Sequence, residues 1–309
     1  MTHQKTLKQE FTDFLKIHAI SQAKAAEGCG YTPGVLSGWI SDSYKGDTFA
    51  VEGTIRSWLE REGRRRARKT IPVANTESFN RITKAITLAH ENKDIALVVG
   101  EAGFGKTTAL KAYAEANPHN AIYINVNKAM TKQTLIYEIA AGLGFERKGN
   151  FPDVAMRVHQ KLAEQDMVVM VDEADYLKDD SLELLRQIVN DAGQSGLVLS
   201  GLPRLEYRII TLKNDHQQIA SRIGVYAAVA GLRELDAQNI VLSAWPNLVQ
   251  DRETQKAFWK GCGPSARRLS KLIENAHRTC MANNLEMPTA EVVAAAGALI
   301  LDDTKRRIA

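Results

Sequence analysis

The sequence predicts an α/β fold: a core on a parallel sheet, with one all-helical segment before it and another after it. Three observations lead there. Apolar runs at 95–99, 121–126, 167–171, 197–200 and 225–229 alternate with helical patterns, and strands that alternate with helices form parallel sheets. The first run ends in a glycine-rich loop that opens into a helix-permissive stretch. Residues 1–63 and 236–309 show helical periodicity without strand-like runs.

In chain order, Leu7, Phe11, Phe14, Leu15 and Ile17 recur at helical spacing, and Ser21 to Ala26 begins a second short helix. A turn at Gly28 and Gly30 follows. Thr32 then suits an N-cap and Pro33 the first position of a third helix, with Val35, Trp39 and Ile40 facing inward. A fourth helix, from about Phe49 to Glu62, carries Val51, Ile55, Trp58 and Leu59 on one face. Helix, glycine turn, helix resembles the helix-turn-helix domains of repressors, whose second motif helix enters the major groove. The stretch 33–40 has no Arg, Lys, Asn or Gln, the usual readers of base edges. Contacts to DNA phosphates are therefore expected, from Thr32, Ser37 and Lys45 and from Arg64, Arg65, Arg66, Arg68 and Lys69. Such binding is salt-sensitive and weakly sequence-specific. Residues 1–69 hold 12 Lys or Arg against 8 Asp or Glu and the rest of the chain is balanced, so the net charge of +4 arises here. The domains are read as a helix-turn-helix domain (1–63), a basic linker (64–76), a core (77–235) and a helical lid (236–309).

A helix opening at Glu77, with Phe79, Ile82, Ile86 and Leu88, delivers the chain to the first strand. There Gly100, Glu101, Ala102, Gly103, Phe104, Gly105, Lys106 and Thr107 spell GxxxxGKT, followed by Thr108. Strand, glycine loop and helix N-terminus form a phosphate cradle, because backbone N–H groups and the helix dipole both face an anion. Lys106 would reach the β- and γ-phosphates, and Thr107 would be a ligand of Mg²⁺. Helical patterns at 131–143 and 153–164 lead to the second motif, Val168-Val169-Met170-Val171-Asp172-Glu173-Ala174-Asp175. Asp172, at a strand end, would be the second protein group on Mg²⁺. Glu173 would orient and deprotonate the attacking water. The two motifs together imply ATP hydrolysis with ATP and Mg²⁺ bound, rather than a GTPase or a small-molecule kinase.

Hydrophobic residues at 44% and charged residues at 25% sit in the ordinary globular range. No run of 18 apolar residues and no signal-peptide pattern is present, so no membrane partner and a cytoplasmic location are expected. Cys29, Cys262 and Cys280 are odd in number and lack metal-ligand spacing, and they read as structural.

Four helical patterns close the chain: 236–245, 252–260, 264–281 and 289–301. Together with the later motifs they make the chain resemble the AAA+ ATPase superfamily. Gly201-Leu202-Pro203-Arg204-Leu205 follows the fourth strand, where that family places a polar sensor-1 residue. Leu202 stands in that position, so either Ser200 substitutes or γ-phosphate sensing is weak, which implies slow hydrolysis. Ser221-Arg222-Ile223 lies where the family carries its arginine finger, which makes Arg222 a catalytic candidate acting on a neighbour's site in a ring or helix of subunits. Gly263-Pro264-Ser265-Ala266-Arg267-Arg268-Leu269 resembles the sensor-2 motif, with Arg267 contacting ATP phosphates and Arg268 as the alternative.

The order of parts, with Ser43-Tyr44-Lys45-Gly46-Asp47, Arg56-Ser57-Trp58-Leu59-Glu60 and Gly196-Leu197-Val198-Leu199-Ser200-Gly201, resembles the phage Mu B-like transposition proteins over nearly the full length. That resemblance implies an ATP-dependent target DNA activator. Such a protein forms a filament on double-stranded DNA without strong sequence preference, captures target DNA for integration and stimulates a transposase. By analogy with related filaments, Lys128, Thr131 and Lys132 would touch phosphates. Two other classes share the site: an AAA+ helicase loader or replication initiator, and a secretion-linked AAA+ ATPase.

Overall fold

A computed structural model describes residues 6–66, 73–145, 149–211, 217–298 and 300. The chain divides into two units, Met1–Thr70 and Ile71–Ala309.

The first unit is all-helical: α1 (Leu7–Ile17), α2 (Gln22–Cys29), α3 (Pro33–Ile40) and α4 (Thr48–Arg66). Hydroxyls of Thr6, Ser21 and Thr32 accept the N–H groups of Gln9, Lys24 and Val35 and so start the first three helices. Gly30, at φ 74°, ends α2 in the left-handed conformation that a side chain would disfavour. The core gathers Phe11, Leu15, Leu36, Trp39, Ile55 and Trp58. The Phe11 ring meets Trp39 and Trp58 edge-on, with centroids 5.9 and 5.7 Å away. Val35, Trp39 and Ile40 all pack against this core, and the sequence reading omitted Leu36, which is fully buried because Leu36 and Trp39, three residues apart, share the inward stripe of α3. Ile17, at the end of α1, is exposed. Helix α4 runs past Glu62 to Arg66. The side chains of Arg64, Arg65 and Arg66, and residues Arg68 and Lys69 entirely, lie outside the described residues.

The second unit begins with α5 (Glu77–Asn92), β1 (Ile95–Gly100), α6 (Lys106–Ala116), β2 (Ala121–Asn125), α7 (Lys132–Gly142) and α8 (Phe151–Ala163). It continues with β3 (Val168–Asp172), α9 (Asp179–Leu185), β4 (Gly196–Gly201), α10 (Pro203–Glu206), α11 (Gln217–Ala220) and β5 (Ile223–Val229). The five strands pair in parallel in the order β2-β3-β4-β1-β5. Both faces of the central strands β3, β4 and β1 are covered, which is why these strands are almost continuously apolar, whereas the edge strands β2 and β5 alternate between more and less buried residues. Ile95, Leu97 and Val99 pack with Leu135, Ile139, Val154 and Val158 of α7 and α8. Ala96 and Val98 point the other way, to Ile82 and Ile86 of α5 and Leu110 of α6. The sequence reads as one helix from Ser181 to Asp191; beyond α9 it widens into a π-type turn over Arg186–Asp191. Within it, the buried Arg186 pairs with both Glu183 and Asp191.

The segment read from the sequence as a lid consists of α12 (Glu234–Ala244), α13 (Arg252–Cys262), α14 (Ala266–Ala282) and α15 (Ala290–Gly297), packed around Trp245, Phe258, Leu269, Leu272 and Ile273 and within the same compact unit as the sheet. Burial pushes the thiols of Cys29 and Cys262 up to about 11 and about 12, so neither is a reactive thiolate near neutrality. Among the described residues no helix is long and apolar enough to cross a membrane.

Candidate nucleotide site

Parallel pairing brings the C-terminal ends of β1, β4 and β3 together, with Val99 beside Gly201 and Val171 beside Leu199. The glycine loop leaves β1 at this edge. Helix α6 starts at Lys106 behind Gly105, at φ 90°, with no side-chain cap. Its first-turn N–H groups and the positive end of its dipole are therefore available to an anion. The lid lies directly against the loop: the Arg267 N–H donates to the Gly103 carbonyl at 3.3 Å. A Cβ on Gly103 would sit 2.7 Å from Ser265 Oγ.

The Lys106 ammonium donates to the carbonyls of Gly100 (2.5 Å) and Glu101 (3.0 Å). Burial lowers its pKa, against the opposing pull of Asp172, Asp175 and Glu101. Asp172 is only 1% exposed, and its charge is balanced by four donors. Oδ2 accepts from the Thr107 hydroxyl (2.6 Å) and the Tyr123 hydroxyl (3.2 Å). Oδ1 accepts from the Ser200 hydroxyl (3.1 Å) and the Glu173 N–H (3.0 Å). Burial, and then the Asp172 charge, raise the Tyr123 pKa above its ordinary value. Glu173 is exposed and left-handed, with φ 56° and ψ 34°. That conformation is uncommon for a residue with a Cβ and concentrates at functional sites.

These groups border a cavity of about 690 Å³ lined by Gly103, Lys106, Thr107, Asn125, Glu173 and Arg267, among others, a size that suits a nucleotide. Thr107 Oγ1 and Asp172 Oδ2 are adjacent hard oxygen donors, and Mg²⁺ takes one or two such protein ligands alongside water and phosphate oxygens. The residues present thus fit both groups. Gly100 to Thr108 would hold the phosphates, and Thr107 and Asp172 would hold Mg²⁺.

The model for AAA domains matches residues 89–209. The fold resembles that of the Aeropyrum pernix ORC2 protein, with a TM-score of 0.58 and 16% identity over 77% of this chain and 72% of that one. The ATP-dependent target DNA activator B of Escherichia phage Mu is 28% identical over 228 residues, 70% of each chain. The Mu-like prophage FluMu DNA transposition protein B of Haemophilus influenzae is 29% identical over 268 residues, 84% of this chain and 90% of that protein. The chain is an AAA+ P-loop ATPase that is similar to the Mu B-like transposition proteins.

In this ATPase the two lid arginines part company. Arg267 lines the cavity. Arg268 turns into the lid, where its N–H donates to Ser265 Oγ and its charge acts on the Cys262 thiol. Ser200 is fully buried on Asp172, while Leu202 lines the cavity and gives its N–H to Asp175 Oδ1 at 3.2 Å. Arg222 stands at the opposite end of the sheet: its carbonyl accepts the N–H of Ile95, the first residue of β1, and its guanidinium lies 3.4 Å from Asp191. It does not border this chain's own cavity. Of the DNA candidates, Thr32 caps α3 and Thr131 caps α7. Ser37 and Lys45 are exposed. Lys132 pairs with Asp180 at 2.7 Å, and Lys128 lies 5.7 Å over the Tyr176 ring. Sequence reasoning missed Tyr123 and Asn125. Their alternation along β2 was the available signal, but the partner appears only when β2 pairs with β3, setting Asn125 beside Asp172.

Proposed function

We propose that this chain acts in DNA transposition as an ATP-dependent, largely sequence-nonspecific DNA-binding protein. It assembles on double-stranded DNA as a helical filament or ring, delivers target DNA and stimulates a transposase in the cytoplasm of the host cell. The observation that carries the reading is a cavity bordered by the glycine loop, Thr107, Asp172, Glu173 and Arg267, on a chain that aligns with 90% of a DNA transposition protein B. Bound Mg²⁺ would supply charge neutralisation at the phosphates. The rest falls to the chain's own residues. Lys106 and the α6 N-terminus hold the β- and γ-phosphates. The Glu173 carboxylate takes the proton of a water that attacks the γ-phosphorus, as the bond to the β,γ-bridging oxygen breaks to leave ADP and phosphate. Arg267 touches the phosphates from the lid and links nucleotide state to lid angle. Arg222, remote from its own cavity, is supplied to a neighbouring subunit, where it offsets transition-state charge. Thr32, Ser37, Lys45, Lys128 and the basic residues 64–69 contact DNA phosphates.

The test is binding of the full chain to several unrelated duplexes with and without Mg·ATP, with electron microscopy of the same samples. Cooperative, ATP-dependent coating of every duplex is expected. Binding that ignores ATP, or that selects one sequence, would refute the reading in favour of an initiator or loader.

A further inference from the structure

The nucleotide cavity shares a wall with a second, open basin of about 530 Å³, and Asp175 and Tyr176 line both. Around that basin stand Lys128, Lys178, Arg204 and Arg208, against the carboxylates of Asp175 and Asp179. Both carboxylates are already engaged. Asp175, whose side chain is 3% exposed, holds Arg204, with Arg204 Nε donating to Oδ2 at 2.7 Å. Asp179 lies 3.5 Å from Arg208. The Tyr176 ring carries Lys128 at 5.7 Å and Arg204 at 5.1 Å. Nη2 of Arg208 is buried without a hydrogen-bond partner among the described residues.

We propose that this basin takes the phosphate backbone of DNA, and that Arg204 is the positioning residue through which DNA reports to the ATP site. The inference rests on the DNA-binding ATPase reading above. Four cations against two engaged carboxylates leave an excess positive charge, spread over an open surface with an aromatic ring at its centre. That composition suits successive phosphates better than a single acidic side chain. The report runs through Asp175. Its Oδ1 accepts the Leu202 N–H at 3.2 Å. A Cβ on Gly201 would lie 2.8 Å from that same oxygen, so the carboxylate is wedged against the β4–α10 turn that forms part of the nucleotide cavity. Asp175 is also two residues from Glu173, whose left-handed backbone leaves β3. A phosphate that draws Arg204 away removes the counter-charge holding Asp175, and the turn and Glu173 readjust together.

The experiment uses the full chain, a mixed-sequence duplex and two readouts: affinity against NaCl with a non-hydrolysable ATP analogue, and the ratio of ATP turnover with DNA to turnover without it. Lys178→Ala should weaken binding several-fold and flatten the log–log salt slope by about 0.9, the loss of one phosphate contact. Arg204→Ala should abolish the turnover ratio. Arg204→Lys, which keeps the charge but loses the fork, should keep the wild-type salt slope and lose the ratio, a split that a merely structural arginine would not produce. Wild-type affinity and slope in Lys178→Ala would overturn the DNA surface. A wild-type turnover ratio in Arg204→Ala would overturn the coupling. Variants that bind duplex normally and lose only the response to transposase would make the basin a protein-docking site and overturn the proposal. A wild-type chain that binds no duplex would instead refute the functional reading itself, and the basin with it.

Discussion

Tyr123→Phe removes one hydroxyl from the Asp172 network and leaves the ring in its packing beside α6 and β3. The lost bond is donated to a buried carboxylate, a class worth about 1.5–3 kcal/mol. At 3.2 Å it is at the long end of such bonds, which places it near ~1.5 kcal/mol. Asp172 keeps Thr107, Ser200 and the Glu173 N–H. No unpaired charge is stranded, so the cost stays well below the roughly 3–5 kcal/mol of a broken buried ion pair. For a unit of this size about 1 kcal/mol corresponds to roughly 2–4 °C, so Tm should fall by about 3–6 °C. Thermal unfolding of Tyr123→Phe, Asp172→Asn and the double variant closes a cycle in which the coupling should reach about 1 kcal/mol. A Tm within about 1 °C of wild type, or full additivity, would refute the claim that this hydroxyl holds Asp172.

Glu173→Gln keeps the shape and cannot accept a proton; ATP affinity should hold within about twofold while phosphate release slows by about 10²–10⁴, and normal turnover would remove Glu173 as general base. Gly231→Ala places a Cβ at φ 82° and 2.6 Å from the Pro264 carbonyl, which also accepts the Leu232 N–H at 2.8 Å; left-handed strain of about 1–2 kcal/mol should loosen the lid and weaken ATP binding roughly tenfold in a nucleotide titration. Arg267→Ala should weaken ATP binding by a charged hydrogen bond, about 1.5–3 kcal/mol, whereas Arg268→Ala should lower Tm with ATP affinity nearly intact; the reverse pattern would exchange their roles. Burial lowers the Lys106 pKa, while bound phosphates favour its charged form and raise it. ATP affinity should therefore be full below the lowered value and fall by up to about tenfold per pH unit above it, until the bound-state pKa is reached. A titration from pH 7 to 10 should show this slope in wild type and lose it in Lys106→Arg, whose guanidinium does not titrate in that range.

Much of the site was legible because its chemistry is local. Gly100 to Thr107 needs only a strand, a tight loop and a helix N-terminus in succession, and Asp172 and Glu173 need only a strand end. Spacing states such requirements directly. The helix starts at Thr32 and Thr131 were readable for the same reason, since a capping hydroxyl bonds an N–H three residues away. Burial within α3 was less legible: Val35, Leu36, Trp39 and Ile40 are all apolar, and only the packing of the four helices decides how deeply each of them is buried.

The sequence by itself determined the parallel α/β core, the glycine loop between β1 and α6 and the place of the acidic pair at the end of β3, because each follows from residue type at short range. Tertiary structure alone decided the rest. Strand order set Tyr123 and Ser200 on the two oxygens of Asp172. The packing of α14 set Arg267, and not Arg268, at the wall of the cavity. The turn after β4 locked Arg204 onto Asp175, 29 residues earlier. Each of these pairs joins residues far apart in the chain, and no spacing rule spans that distance; what brings them together is the burial of both faces of one sheet.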